Sequence, residues 1–239
     1  MKLIICNLKN RLEKNENISY SKFLDNLELG DYKLVVAPSM PFMNYYNSYK
    51  YSLASQDISS FDGEIITGEV TGDQLSSVGC KYVIIGHSER RINNKEININ
   101  FINKINNAHS NDMEVIFCIG ETLSDRINNN HYNVLEQQIS EVLNNVEIKN
   151  IIIAYEPVFS IGGEEYLSNE EIEDTIQYIK DITFEKYEVN FKVLYGGGIS
   201  NEVLKRVNTI SIIDGYLIGN NSTDIEEIKA IINTLNSYK

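Results

Sequence analysis

The sequence predicts an α/β protein folded as a closed (β/α)8 barrel. Short apolar runs recur at fairly even spacing, and eight can be counted. Between several of them the hydrophobic spacing switches to the helical period. The length of 239 residues is close to the ~250 typical of such a barrel, which favours closure over an open doubly wound sheet.

Residues 3–5 form the first run, 34–36 the second and 52–54 the third, with a weaker helical segment across 41–49. Residues 83–85 are an unbroken β-branched strand, the pattern of a strand buried on both faces. Ile97, Phe101, Ile105 and Ala108 then keep helical spacing, and the Asn-rich stretches 93–100 and 128–130 read as loops and helix starts. Strands at 115–118 and 151–154 come next. Ser168-Asn-Glu-Glu171 is a capping-box pattern that starts a helix carried by Ile172, Ile176 and Ile179. Residues 192–194 form the seventh strand, a weaker helix covers 203–207, and 212–217 form the eighth strand. A second capping box, Thr223-Asp-Ile-Glu226, places the last helix, with Ile225, Ile228, Ile232 and Leu235 on one face.

The composition is ordinary for a globular chain, with 42% hydrophobic and 23% charged residues, and no linker-like stretch divides it. A single domain over residues 1–239 is expected. A net charge of −13 with no basic block argues against nucleic acid and anionic membrane as partners. An anionic ligand would need positive potential made locally by lysine, backbone N–H groups and helix N-termini. Cys6, Cys80 and Cys118 are scattered in apolar contexts, and no signal-like or membrane-spanning stretch precedes the first strand. Buried free thiols and a cytoplasmic location are expected.

In a parallel barrel, ligands bind where strands end. The polar residues there are Asn7 and Lys9 after the first strand, His87, Ser88 and Glu89 after the fourth, and Glu156 after the sixth. Gly196, Gly197 and Gly198 come after the seventh strand, and Gly219 and Asn220 after the eighth. Glu156 stands between a buried run and Pro157, which holds it extended; a fixed carboxylate there suits a general base. Glycine turns on adjacent strands can present N–H groups to an anion, whereas either alone would read as a tight turn. Lys9 taken alone would read as a solvated surface lysine. His109 and His131 have no partner motif and are assigned no role.

Tyr82-Val-Ile-Ile-Gly-His-Ser-Glu-Arg-Arg91, Thr67-Gly-Glu-Val70 and Ala154-Tyr-Glu-Pro-Val158 together resemble the triosephosphate isomerases. Cys118-Ile-Gly-Glu121, Tyr195-Gly-Gly197 and Asp214-Gly215 extend the resemblance over nearly the whole chain. The resemblance implies a TIM barrel that interconverts dihydroxyacetone phosphate and D-glyceraldehyde 3-phosphate, a step of glycolysis and gluconeogenesis, without metal or cofactor. It implies Glu156 as the base, His87 as a neutral electrophile, Lys9 as the cation for the enediolate and phosphate, and Asn7 as a donor to the developing oxyanion. Gly162, Gly197, Gly198, Gly219 and Asn220 would present backbone N–H groups to the phosphate. Glu89, as a partner of Lys9, Ser88 and Tyr195 would support the site. The resemblance also implies a homodimer, with a loop over 56–68 reaching the partner and Glu69 pairing with Arg90 across the interface.

Three loops depart from the family pattern. The lid reads Pro157-Val-Phe-Ser-Ile-Gly-Gly-Glu-Glu-Tyr-Leu167, so that Glu164 and Glu165 replace the usual glycine and lysine. Gly198 replaces a serine, and Asn220 replaces a glycine. Backbone donors survive such changes, but the serine-to-lid-glycine hydrogen bond that helps latch the family's lid has lost both partners. One neutral hydrogen bond corresponds to ~0.5–1.5 kcal/mol, which implies a weaker latch. Two other functions stay open at this point: an isomerase for a four-carbon ketose phosphate, and a non-catalytic ligand-binding or scaffold paralogue.

Overall fold

The computed structural model describes residues 2–61, 63, 65–162 and 167–237. Eight parallel strands close in sequence order into a barrel, with the last strand pairing back onto the first. They are β1 (Leu3–Asn7), β2 (Lys33–Ala37), β3 (Ser52–Ser55), β4 (Cys80–Ile85), β5 (Glu114–Ile119), β6 (Ile151–Tyr155), β7 (Lys192–Tyr195) and β8 (Gly215–Ile218). The helices are α1 (Lys14–Asp25), α2 (Gly72–Ser77), α3 (Ser88–Asn93), α4 (Asn98–Ser110), α5 (Leu123–Ile127), α6 (His131–Leu143), α7 (Asn169–Tyr187), α8 (Asn201–Val207) and α9 (Ile225–Ser237). The chain therefore has the TIM-barrel architecture that its strand spacing predicts.

Strand alternation builds two apolar layers. Leu3, Ile5, Val35, Ile84, Ile116, Ile152 and Leu194 fill the barrel interior. Ile4, Cys6, Leu34, Val36, Val83 and Ile153 point outward and pack with Phe101, Ile105, Ile139, Ile176 and Ile232 from the helices. Near the C-terminal ends of β2, β3, β5 and β6 the interior positions are small: Ala37, Ala54, Cys118 and Ala154. That taper leaves room above them for polar side chains.

Several boundaries differ from expectation, each for a local reason. The eighth strand begins at Gly215 rather than residue 212, because its backbone lies so close to β1 that a Cβ would fall 2.2 Å from the Leu3 carbonyl oxygen. Ile213 is buried as part of the preceding turn. The last helix starts at Ile225, and its cap is Asp224, whose Oδ1 accepts the N–H groups of Glu226 and Glu227 at 2.9 and 3.1 Å; Thr223 ends a 3-10 turn. The segment across 41–49 is a shorter 3-10 helix, Met40–Tyr45. The Ser168 capping box is present: the Ser168 hydroxyl accepts the Glu171 N–H at 3.2 Å while Glu171 accepts the Ser168 N–H at 2.8 Å.

Helix α1 escapes sequence reading because its inner stripe is partly polar. Asn17, Tyr20, Ser21 and Leu24 are the buried positions, and Asn17 is satisfied by donating to Leu12 and Glu13 carbonyls and accepting from the Tyr46 hydroxyl. A hydrogen-bonded asparagine can occupy such a position where an unpaired one could not. All three cysteines are free and buried, as expected.

Candidate active site

Strand β4 ends at Gly86, whose φ of +76° belongs to the left-handed region. A Cβ there would meet Arg91 Nη2 at 2.9 Å, the Cys118 carbonyl oxygen at 3.1 Å and the Phe117 ring at 3.1 Å, so only glycine allows this turn. The turn sends His87 to the cap of α3 instead of into a free polar loop. His87 is 5% exposed, and its Nδ1 accepts the N–H of Glu89 at 3.2 Å. A backbone N–H can donate only to an unprotonated ring nitrogen, so that bond leaves the proton on Nε2. Nε2 lies 3.5 Å from Glu156 Oε1.

Glu156 leaves β6 with its N–H bonded to the Ile119 carbonyl at 2.8 Å. Two glycines make room for Glu156, Gly196 for the side chain and Gly120 for the backbone. A Cβ on Gly196 would stand 2.7 Å from Glu156 Cγ, and one on Gly120 would stand 1.9 Å from the Glu156 carbonyl oxygen. The carboxylate is 4% exposed, and Oε2 has no hydrogen-bond partner among the described residues. Burial pushes the Cys118 thiol well above its ordinary range, and the neighbouring Glu156 charge adds to the shift. The thiol therefore stays protonated beside the carboxylate. Ser88 and Glu156 both border a void of about 10 Å³ next to Cys118.

Lys9 adopts a φ of +51°, unusual for a residue with a long side chain and costing roughly 1–2 kcal/mol. Three side chains hold it there. Asn7 Oδ1 accepts its N–H at 3.1 Å, while Ser39 and Gln56 donate to its carbonyl at 2.8 and 2.7 Å. Gln56 also donates to the Ala37 carbonyl at 2.9 Å, tying the ends of β1 and β2 together. The turned backbone points the Lys9 ammonium at Glu89 Oε1, 2.6 Å away. Burial opposes the charged form of Glu89, but the Lys9 hydrogen bond and charge, helped by His87 and Arg11, bring its carboxyl below the ordinary value.

These residues meet in two adjoining cavities that share Lys9 and His87. One of about 190 Å³ also contains Glu156, Gly162, Gly196, Gly198, Gly219 and Asn220. The other, about 540 Å³, is bordered by Asn7, Glu89, Gln56, Glu69 and Arg90. Of the sequence-predicted residues, Ser88, Tyr195 and Gly197 line neither cavity. Gly197 backs the Tyr195 ring, where a Cβ would fall 2.2 Å from the tyrosine oxygen. Gly163, Glu164, Glu165 and Tyr166, which carry the altered part of the lid and its expected weaker latch, lie outside the described residues. Arg90 makes ion pairs within the chain, with Asp57 at 2.7 Å and with Glu96, and the charge of Glu69 in the same chain adds to their pull on it.

Three positioning residues were not legible beforehand. Ser39 and Gln56 act on the Lys9 backbone, and no local motif marks them. Arg91 lies within the conspicuous run after β4, where its second guanidinium was a visible but unused signal. Its Nε donates to Gly86 at 2.7 Å and its Nη2 to Cys118 at 2.9 Å, bridging the ends of β4 and β5, with the cation 4.3 Å above the Phe101 ring. Burial lowers its pKa to about 10, so it remains charged at neutral pH.

A buried carboxylate facing an imidazole that donates only from Nε2, with an ammonium at the same barrel mouth, defines a barrel enzyme that moves protons by acid–base chemistry. The family model of triosephosphate isomerase matches residues 2–235, and the chain belongs to that family. Proteins named triosephosphate isomerase share its sequence: that of Flavobacterium johnsoniae is 33% identical over 190 residues, covering 77% of this chain and 76% of the relative. That of Francisella tularensis subsp. mediasiatica is 35% identical over 193 residues (78% and 76%), and that of Francisella philomiragia is 36% identical over 187 residues (76% and 74%). These relatives lend no support to a four-carbon substrate or to a non-catalytic role.

Proposed function

We propose that this chain interconverts dihydroxyacetone phosphate and D-glyceraldehyde 3-phosphate by proton transfer through an enediolate. The observation that carries the reading is the Glu156–His87 pair, a base and a proton-bearing nitrogen 3.5 Å apart in a pocket that also holds Lys9. Glu156 removes the proton on the carbon next to the substrate carbonyl, and the electron pair moves onto the carbonyl oxygen. His87 Nε2–H, Asn7 and Lys9 stabilise that oxygen, where charge develops. Glu156 returns the proton to the neighbouring carbon, so the base is regenerated and no redox partner enters. The phosphate rests on backbone N–H groups of Gly162, Gly219 and Asn220 and on that of Gly198, which turns to it from the Gly196 carbonyl 3.0 Å away, while Gly197 shapes the turn through Tyr195. Glu89 steers Lys9, and Ser88 borders the space beside the base.

The same reading includes a homodimer. The segment between Gln56 and Val70 is pinned at its base by the Ser59 N–H to Val70 carbonyl bond of 2.9 Å, yet Ile65 is fully exposed. The 540 Å³ cavity beside Lys9 and His87 is the receiving space for that segment from a second copy. Among the described residues no helix is long and apolar enough to cross a membrane, and the three buried free thiols suit the reducing cytoplasm.

One preparation tests both parts. A coupled assay with glyceraldehyde 3-phosphate and, in parallel, a tetrulose phosphate is expected to favour the three-carbon substrate in kcat/KM. Sedimentation equilibrium is expected to give twice the chain mass. No turnover of either triose phosphate, or preference for the tetrulose, overturns the activity; a monomer at micromolar concentration overturns the dimer.

A further inference from the structure

Arg11 lies two residues beyond the turned Lys9, on the loop leaving β1, and its side chain crosses to the loop after β8. Arg11 Nη2 donates to Asn220 Oδ1 at 2.9 Å. A guanidinium has no acceptor, so the amide must face it with Oδ1, and Nδ2 is turned the other way. The structure places that Nδ2 against Gly162, 2.8 Å from where a Cβ on Gly162 would stand. Asn220 lines the 190 Å³ cavity with Lys9, Gly198 and Gly219, whereas Arg11 does not line it. An exposed arginine–asparagine bond is by itself worth little. Here its far end is a donor inside the pocket.

The charge pattern gives that donor a purpose. The Lys9 ammonium is shared with Glu89 at 2.6 Å, while the Arg11 hydrogen bond goes to a neutral amide. At the neighbouring turn, Gly198 offers no hydroxyl. The pocket thus carries a side-chain donor on the loop after β8 and none on the turn after β7. We propose that Arg11 is a positioning residue for the anionic end of the substrate: it locks the Asn220 amide so that Nδ2 joins the backbone N–H groups in receiving phosphoryl oxygens. The inference rests on the sugar-phosphate reading above and adds to it a residue that acts through another.

Inorganic phosphate is the probe, titrated calorimetrically into the full chain, alongside KM and kcat for glyceraldehyde 3-phosphate. Arg11→Ala is expected to weaken phosphate binding and raise KM by about fivefold, the loss of one oriented neutral donor, with kcat within about twofold. Arg11→Gln, which keeps a side-chain donor, recovers part of the loss. Asn220→Gly weakens binding to the same extent, and the Arg11→Ala/Asn220→Gly double variant is no worse than Asn220→Gly alone, because the hydrogen bond of the arginine reaches the phosphate through the amide. Unchanged phosphate affinity in Arg11→Ala, or single effects that multiply in the double variant, overturns the proposal. Calorimetry requires no turnover. A wild-type chain that binds phosphate but isomerises no triose phosphate refutes the proposed function and leaves the Arg11 result readable; a fully active wild type with an indifferent Arg11→Ala refutes only the positioning role.

Discussion

Glu156→Gln is expected to lower kcat by roughly 10²–10⁴-fold while leaving the fold and the affinity for inorganic phosphate in place, the range for removal of a general base. The amide has the shape of the carboxylate, so it fits the space that Gly196 leaves open beside Glu156 Cγ. What disappears is the acceptor for the carbon-bound proton. Oε2 is buried with no hydrogen-bond partner among the described residues, so no neighbouring group takes over that basicity. His87 cannot substitute, because its Nδ1 is committed to the Glu89 N–H and its Nε2 carries a proton. Initial rates in the coupled assay, with solvent-deuterium incorporation at the substrate carbon as an independent readout, check the result. A kcat within tenfold of wild type, with exchange retained, would falsify the assignment of the base.

Lys104→Met is expected to remove about 3–5 kcal/mol of stability at pH 7, the cost of breaking a buried ion pair from one side. For a chain of 239 residues that corresponds to a Tm lower by roughly 6–20 °C. Lys104 is 3% exposed, and its ammonium stands 2.6 Å from both Asp57 and Glu96. Arg90 contacts the same two carboxylates from the other side. With the ammonium gone, two largely buried carboxylates share one guanidinium. Burial already raises the carboxyl of Asp57 above its ordinary value against the pull of Lys104 and Arg90. In Glu96 burial pulls the same way, but the hydrogen bonds from Arg90 and Lys104 overcome it and its carboxyl is lowered.

The two carboxylates therefore have opposite linkage to pH. A raised folded-state value means that the folded protein binds its proton more tightly than the unfolded chain, so the Asp57 contribution improves as pH falls through that value. A lowered one, as at Glu96, means stability that is full above the unfolded value and is lost only as pH falls through the folded one. In Lys104→Met the deficit is thus expected to be smaller at pH 5 than at pH 7, because acidification favours the protonated Asp57 that the lost ammonium no longer opposes. Thermal unfolding at both pH values measures it. Equal Tm for variant and wild type at pH 7, within about 2 °C, or a deficit that grows on acidification, contradicts the account. Asp57 comes directly after Gln56, whose side chain holds the Lys9 carbonyl, so the buried network also anchors the loop that keeps Lys9 turned.

Much of this site was legible because its chemistry stands directly after apolar strands. Asn7, His87 and Glu156 come after runs whose β-branched residues announce burial, and the barrel mouth is where such residues converge. Gly86, Gly196 and Gly198 were visible as glycines, but which of them clears room for Glu156 and which fills a left-handed turn depends on neighbours far away in the chain. Gly197 shows the difference: it stood in the predicted anion cradle, and its place is decided by the tyrosine oxygen two residues earlier. Thr223 carried the sequence pattern of a cap, but Asp224 accepts the helix N–H groups because the preceding 3-10 turn uses Thr223 to end itself.

By itself, the sequence determined the alternation of strands and helices, the buried faces and the set of polar residues released at the strand ends, because those depend on local periodicity and on the residues placed directly after each apolar run. Only the tertiary structure decided which nitrogen of His87 faces Glu156, what holds Lys9 in its turned backbone, where Arg90 makes its ion pairs and how Arg11 reaches Asn220. Those contacts join residues from different strand ends, up to 209 positions apart in the chain. Closure of the barrel brings them together, and no local pattern encodes a distance that exists only after the eighth strand has paired with the first.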